Sequence, residues 1–367
     1  MVLAVLSAVT IVLFVAVTAL TNLYHAQQES LGNQWSTRGA EDLKNGHFEL
    51  AVADFRTALR YSRDKYDYQL NLAGALIGLK RTPEANAYLV NLWEQEPENG
   101  LVNLELARIA AQEGETEHAL RYYHNAVYAT WPGDQHAARR DTRLELITLL
   151  LRIDARTQAQ SELIALAANS AGDPSQAAHI GDLFLTVQDY AHALAEYQLS
   201  LTSNRDNTAA TAGAGLAAFQ LGRYQLALPY LRAAVEANPG DTRSAANLRT
   251  AELVLRMDPF QARLPVAQRD HVVLEAFATA GARVKSCASA MDAQPSTSSA
   301  SAVKSLDDRW SDMAPRITQQ GLRRNPDSVP EAMRLVFDIE REANAACGPR
   351  EGADTALLLI AKLHEGA

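Results

Sequence analysis

The sequence predicts an all-α protein: one transmembrane helix, then a solenoid of helical hairpins, then a small helical module. Three observations carry this. Val2 to Leu23 is a run of 22 residues without a charge. Small and large apolar residues then recur at a spacing of 34 between Asn33 and Asp241. Beyond residue 257 that spacing stops, while helical periodicity continues. The composition, 47% hydrophobic and 21% charged, suits a folded chain. The formal net charge is -9 and no basic face stands out, which argues against a nucleic-acid partner. Two cysteines exclude a disulfide-dense scaffold and any zinc site built on four thiolates.

The leading run is read first. At 1.5 Å per residue a helix of this length is about 33 Å long, enough to cross a hydrocarbon core. Residues 1–23 are therefore read as a transmembrane signal anchor and 24–32 as a juxtamembrane linker. A cleaved signal peptide is the competing reading, with Val17-Thr18-Ala19 as its small-residue site. No basic region precedes the run, however, and its apolar stretch is longer than signal peptides use. A buried soluble helix is the third reading. No Lys or Arg occurs before Arg38, so the positive-inside rule hardly speaks. A one-residue tail is easily left in the cytoplasm, which places the bulk on the periplasmic or extracytoplasmic side.

The repeat follows. Taking Ala227 as reference, steps of 34 lead back to Ala193 and Ala159, a step of 40 to Ala119, and two more of 34 to Ala85 and Ala51. Four residues after each stand Phe55, Leu89, Tyr123, Leu163, Tyr197 and Leu231. Twelve before stand Gly39, Ala73, Ala107, Ile147, Gly181 and Gly215. Five before, glycine recurs at Gly46, Gly114 and Gly222, and twelve after, proline recurs at Pro97 and Pro239. Small residues let two helices approach, and the large apolar residue fills the space beside them. Glycine ends the first helix of a pair and proline the second. One hairpin cannot bury its apolar face alone, so the hairpins must stack.

These columns resemble the tetratricopeptide repeat family over about Asn33 to Asp241, in six repeats. The resemblance implies a right-handed α-solenoid. Only Trp35 stands at the family's leading Trp position, and Ile147 replaces a small residue in the fourth repeat. The step of 40 implies about six extra residues around "TWPGDQHAARRD", as a longer loop or an extended helix. Asp241 to Leu255 reads as a helix capping the last exposed face, so the solenoid with its cap spans 33–257.

The C-terminal module spans 258–367. Its first helix places Val273, Phe277, Ala280, Val284 and Cys287 on one face. A Ser/Ala-rich linker at 292–302 is followed by three helical stretches, "SLDDRWSDMAPRITQQGL", "VPEAMRLVFDIEREANAAC" and "GADTALLLIAKLHEG". Cys287 and Cys347 form a disulfide if the module is exported; otherwise they are buried thiols.

No catalytic pattern is found: no HExxH, GxSxG, Walker loop or CxxCH. Gly213-Ala214-Gly215 gives a GxG, but inside a helix, where it is packing space. His118 and His124 fall on different helix faces, and the carboxylate pairs Asp307-Asp308 and Glu340/Glu342 read as solvated. The chain is read as a non-enzyme with no cofactor, metal or small-molecule substrate. In the resembled family the first helix of each hairpin lines a concave groove. That alignment implies Leu70, Ile77, Leu101, Leu104, Arg108, Leu144, Thr148, Leu151, Arg152, Asp182, Leu185, Leu216 and Phe219 as a partner-binding groove. The positions of the family's carboxylate clamp hold Ser36, Ala40, Leu70 and Gly74, so that clamp is absent. A largely apolar groove suits a partner helix or an extended apolar segment, unless the C-terminal module fills it. The resulting expectation is a membrane-anchored interaction scaffold or chaperone-like adaptor of the bacterial cell envelope. The alternatives are a stably bound accessory subunit of a membrane complex, or an enzyme using the C-terminal module.

Overall fold

The computed structural model describes residues 2–131, 133, 135–169, 174–291 and 298–364, without the side chains of 2–10 and 12. Among these residues the fold is an array of helices, with no strand. It divides into two compact units, 1–162 and 163–367, which are taken separately.

The first unit opens with α1 (Val2–Lys44), which runs without a break from the apolar run into the first hairpin. No proline interrupts it, and residues 24–32 are part of this helix. Among the described residues no helix is long and apolar enough to cross a membrane. Helices α2 (Phe48–Tyr61), α3 (Tyr66–Gly78), α4 (Thr82–Gln95), α5 (Gly100–Glu113), α6 (Thr116–Tyr128) and α7 (Gln135–Arg152) follow, then the start of α8 (Arg156–Asn169). The C-terminal part of α1 packs along α2, α3 on α4, and α5 on α6. Gly39 on α1 is a contact point: a Cβ there would come within 3.0 Å of the Phe55 ring on α2. Buried Asp54 is held by Arg38, whose Nη2 donates to Oδ1 at 2.6 Å.

The extra residues of the 40-residue step form both a loop and a longer helix. Trp131 folds back so that Nε1 donates to the Ala126 carbonyl at 2.9 Å. Its ring lies on Gly100, where a Cβ would sit 2.4 Å away. Thr130 is tied into the preceding turn, its N–H donating to Glu98 O at 3.0 Å and its carbonyl accepting from Gly100 N at 2.9 Å.

The second unit holds the rest of α8, then α9 (Pro174–Thr186), α10 (Tyr190–Ser203), α11 (Thr208–Gln220), α12 (Tyr224–Ala237) and the cap α13 (Thr242–Met257). Tyr197 on α10 is only 1% exposed and lies between Gly181 of α9 and Gly213 of α11. Added Cβ atoms would come within 2.9 and 2.3 Å of its ring. Gly215 likewise makes room for Leu231. The GxG of the sequence is thus packing space. Pro229 stands inside α12, one turn further in than its spacing suggests. It leaves the exposed Gln225 carbonyl without its helical donor.

The turns between the helices of a pair share one conformation. Gly46, Gly114 and Gly222 have φ of 77°, 81° and 70°, in the left-handed region. At the same place in the other three pairs stand Lys80, Asp154 and Gln188, with φ of 59°, 59° and 62°. The left-handed turn therefore recurs in all six pairs, although glycine supplies it in only three.

The C-terminal module comprises α14 (Val266–Met291), α15 (Ser298–Met313), α16 (Gln319–Arg324), α17 (Ser328–Cys347) and α18 (Ala353–Leu363). Two expectations are corrected. Residues 298–302 of the linker already form the first turn of α15, and 292–297 lie outside the described residues. The stretch expected as one helix breaks between Met313 and Gln319, because Pro315 restrains Ala314 and has no N–H to donate. Cys287 on α14 and Cys347 on α17 are joined as a disulfide, with Cα atoms 5.8 Å apart. One turn earlier, buried Arg283 donates to the Ala343 carbonyl at 3.0 Å and to that of Gly348. The module packs on the cap α13 through α18. His364 Nε2 lies 3.1 Å from Asp258 Oδ1, and its ring lies 4.8 Å from Phe260.

Candidate functional site

The groove residues implied by the repeat register are best judged unit by unit. In the first unit they fall in two clefts between α3 and α5. The first, about 800 Å³, lies where both helices begin, and Leu70 and Leu101 share its wall. The second, about 620 Å³, lies near their C-terminal ends, and Ile77 and Arg108 share it with Gly74 and Glu105. Leu70, Ile77 and Leu101 are half-buried, so each keeps apolar surface toward solvent. Leu104 is different: it is 7% exposed and belongs to the core. On α7, Leu144 and Leu151 are half-buried, while Thr148 and Arg152 are exposed. The Thr148 hydroxyl turns back onto the Leu144 carbonyl at 2.8 Å.

The middle of this surface is charged, which the expectation of a largely apolar groove missed. Arg108 donates through Nη1 to Glu105 at 2.7 Å and through Nε to Glu145 of α7 at 2.9 Å. Tyr123 Oη donates to the same Glu145 at 3.2 Å. The Glu145 hydrogen bond and the two carboxylates hold Arg108 more firmly protonated than usual, against its partial burial. Burial pushes Glu105 up despite the adjacent guanidinium. Burial and then Glu145 push Tyr123 up to about 12. Arg108 keeps its charge and Tyr123 its proton near neutral pH, and their bonds to Glu145 tie α5 and α6 to α7.

In the second unit, Leu185, Leu216 and Phe219 are half-buried and Asp182 is exposed. Asp182 is committed to packing: its Oδ1 accepts the Tyr197 hydroxyl at 2.6 Å. Burial and this bond raise the Tyr197 hydroxyl well above its ordinary value. Phe219 lies edge-on to Tyr224, with centroids 5.3 Å apart. The C-terminal module rests on α13 and reaches the α11–α12 turn, where Leu363 lies against Gly222. It leaves Leu185, Leu216 and Phe219 with exposed surface. No group of three or more His, Cys, Asp or Glu that could hold a metal is found among the described residues.

Sequence reasoning passed over the far wall of the first cleft. It is made by Tyr66, Asp67, Glu96, Glu98 and Trp131 beside the two leucines. The one signal that pointed there was the step of 40, since the extra residues bring Trp131 into place.

Stacked helical hairpins whose first helices line open clefts define the class: an α-helical repeat protein. The comparisons find one family of repeat over part of the chain. The family model described as tetratricopeptide repeat matches residues 37–91 and 179–242. Among solved structures, PilF of Pseudomonas aeruginosa is 17% identical, with a TM-score of 0.41 over 60% of this chain and 97% of its own. The C-terminal part of a TPR repeat-containing protein of Cytophaga hutchinsonii is 14% identical, with a TM-score of 0.45 over 65% and 92%. YrrB, described as a TPR protein with an unusual peptide-binding site, is 15% identical, with a TM-score of 0.41 over 52% and 95%. A search of curated proteins finds no match.

Proposed function

We propose that the chain is a membrane-anchored interaction scaffold or chaperone-like adaptor of the bacterial cell envelope. It holds a helix or extended segment of a protein partner against the first helices of its hairpins. The observation that carries this is the half-buried apolar row Leu70, Ile77 and Leu101 lining the clefts between α3 and α5. A solvent-facing concave apolar strip gains by covering, and an amphipathic segment covers it at the least polar cost. The anchor rests on the uncharged run Val2–Leu23. Within it Ile11, Leu13, Phe14, Val15, Val17, Leu20 and Leu23 are 59–73% exposed. At 3.6 residues per turn these seven point to every side of the helix, which suits hydrocarbon better than water. A periplasmic or extracytoplasmic soluble part fits the Cys287–Cys347 disulfide, since such bonds persist in oxidising compartments.

Two experiments test the two parts. Flotation of the full chain with neutral phosphatidylcholine vesicles tests the anchor: the chain floats, and stays in the pellet after alkaline wash. Recovery in the soluble fraction rejects it. Capture of partners by wild type and by Leu70→Glu with Leu101→Glu tests the groove: the variant loses specific partners. An unchanged partner set rejects it.

A further inference from the structure

The cleft at the start of α3 and α5 carries a feature that a purely apolar groove does not need. Asp67, Glu96 and Glu98 all line it, and no Lys, Arg or His does. The three carboxylates are exposed, and among the described residues none is in an ion pair. Glu96 accepts a 3.2 Å hydrogen bond from the Asn99 amide. Between the carboxylates lie the half-buried side chains of Leu70 and Leu101, and the Trp131 ring beside them is buried. One polar group of this wall is shielded from solvent: Tyr66 Oη, which makes no hydrogen bond of ordinary length and lies beside the Glu96 carboxylate. Burial, and then Glu96, push the Tyr66 hydroxyl up to about 12, so it stays a donor at neutral pH.

The wall is not a by-product of the repeat. The inserted residues break the 34-residue period and bring Trp131 onto Gly100, where only glycine leaves room. A cleft with an aromatic side, an aliphatic floor and an anionic rim matches one kind of group. That group has an aliphatic stem ending in a cation: the stem lies along the leucines, and the charge meets the carboxylates.

We propose that this cleft is a subsite for a lysine or arginine side chain of the partner segment, with Asp67 and Glu98 as its main charge contacts. The proposal rests on the groove reading and narrows it: the segment that lies along α3 and α5 carries a basic residue among apolar ones. It also distinguishes this surface from a groove selecting acidic chain ends, since the charge in the cleft has the opposite sign.

The test is a set of acetylated, amidated ten-residue peptides, apolar except at one central position that is Lys, Arg, norleucine or Glu. Binding to the full chain in detergent is measured by fluorescence anisotropy, for wild type and for Asp67→Asn with Glu98→Gln. Wild type binds the Lys and Arg peptides roughly tenfold more tightly than the norleucine peptide, the range for one charge-assisted contact. The double variant loses that preference while its affinity for the norleucine peptide is unchanged, which also shows that it is folded. The preference shrinks at high salt, as for exposed charges. Equal binding of the Lys and norleucine peptides by wild type overturns the subsite and leaves the groove standing. Absence of binding to every peptide overturns the groove and the subsite together.

Discussion

Gly213→Ala is the sharpest test of how the repeats lock together. In the middle of α11 the change should help on propensity alone, by about 1 kcal/mol. The structure says otherwise. The new Cβ would lie 2.3 Å from Tyr197 Cζ and 2.6 Å from Cε2, where ordinary contact begins about 1 Å further out. The ring cannot retreat, because a Cβ position on Gly181 lies only 2.9 Å from its other side and its hydroxyl is held by Asp182 at 2.6 Å. Overpacking costs about 1–3 kcal/mol, and a strained or lost hydrogen bond about 1 more. Set against the gain in propensity, the net loss is about 2 kcal/mol. Urea unfolding followed by far-UV circular dichroism reads this as a lower midpoint. Tyr197→Leu in the same chain should remove most of the added cost, so the two changes are non-additive. A Gly213→Ala chain as stable as wild type, or more so, would refute the packing account.

Three further predictions follow from other parts of the fold. Gln188→Gly should raise stability by roughly 0.5 kcal/mol, since it relieves a left-handed residue while loosening the unfolded chain; Gln188→Ala, measured the same way, should not. Glu340 is buried, and burial with Asp354 nearby pushes its carboxyl up to about 8 against Arg283 and Arg350. The folded chain thus holds a proton that the unfolded chain releases near pH 4.5, so the stability of the module declines as pH rises toward 8. Glu340→Gln should flatten that decline, read as melting temperature between pH 5 and 9. Cys287→Ser with Cys347→Ser should weaken the module by about 4 kcal/mol, the chain-entropy value for a loop of this length, and reducing agent should act on wild type alone.

Much of the fold could be read from the sequence because its contacts repeat. Gly39 meets Phe55, Gly181 meets Tyr197 and Gly215 meets Leu231, each pair sixteen residues apart. A fixed spacing turns a spatial contact into a visible column. Where chemistry varies at a constant backbone shape, the column fades: Lys80, Asp154 and Gln188 adopt the glycine conformation without being glycine. The site was less visible. Leu104 sits on the expected face yet is covered, and Arg108 finds Glu145 37 residues away, through a pairing that no period announces. Trp131 and the acidic rim depend on one insertion that folds back on its neighbour, and a single event leaves no column.

The central claim is that the first helices of the hairpins hold a protein partner. Photo-crosslinking from position 101 in cells, compared with position 50 on exposed Leu50 of α2, tests it most directly. A discrete adduct is expected from position 101, lost when Leu70→Glu is added, and none from position 50. Equal adducts from both positions, or an adduct from position 101 that survives Leu70→Glu, would contradict it.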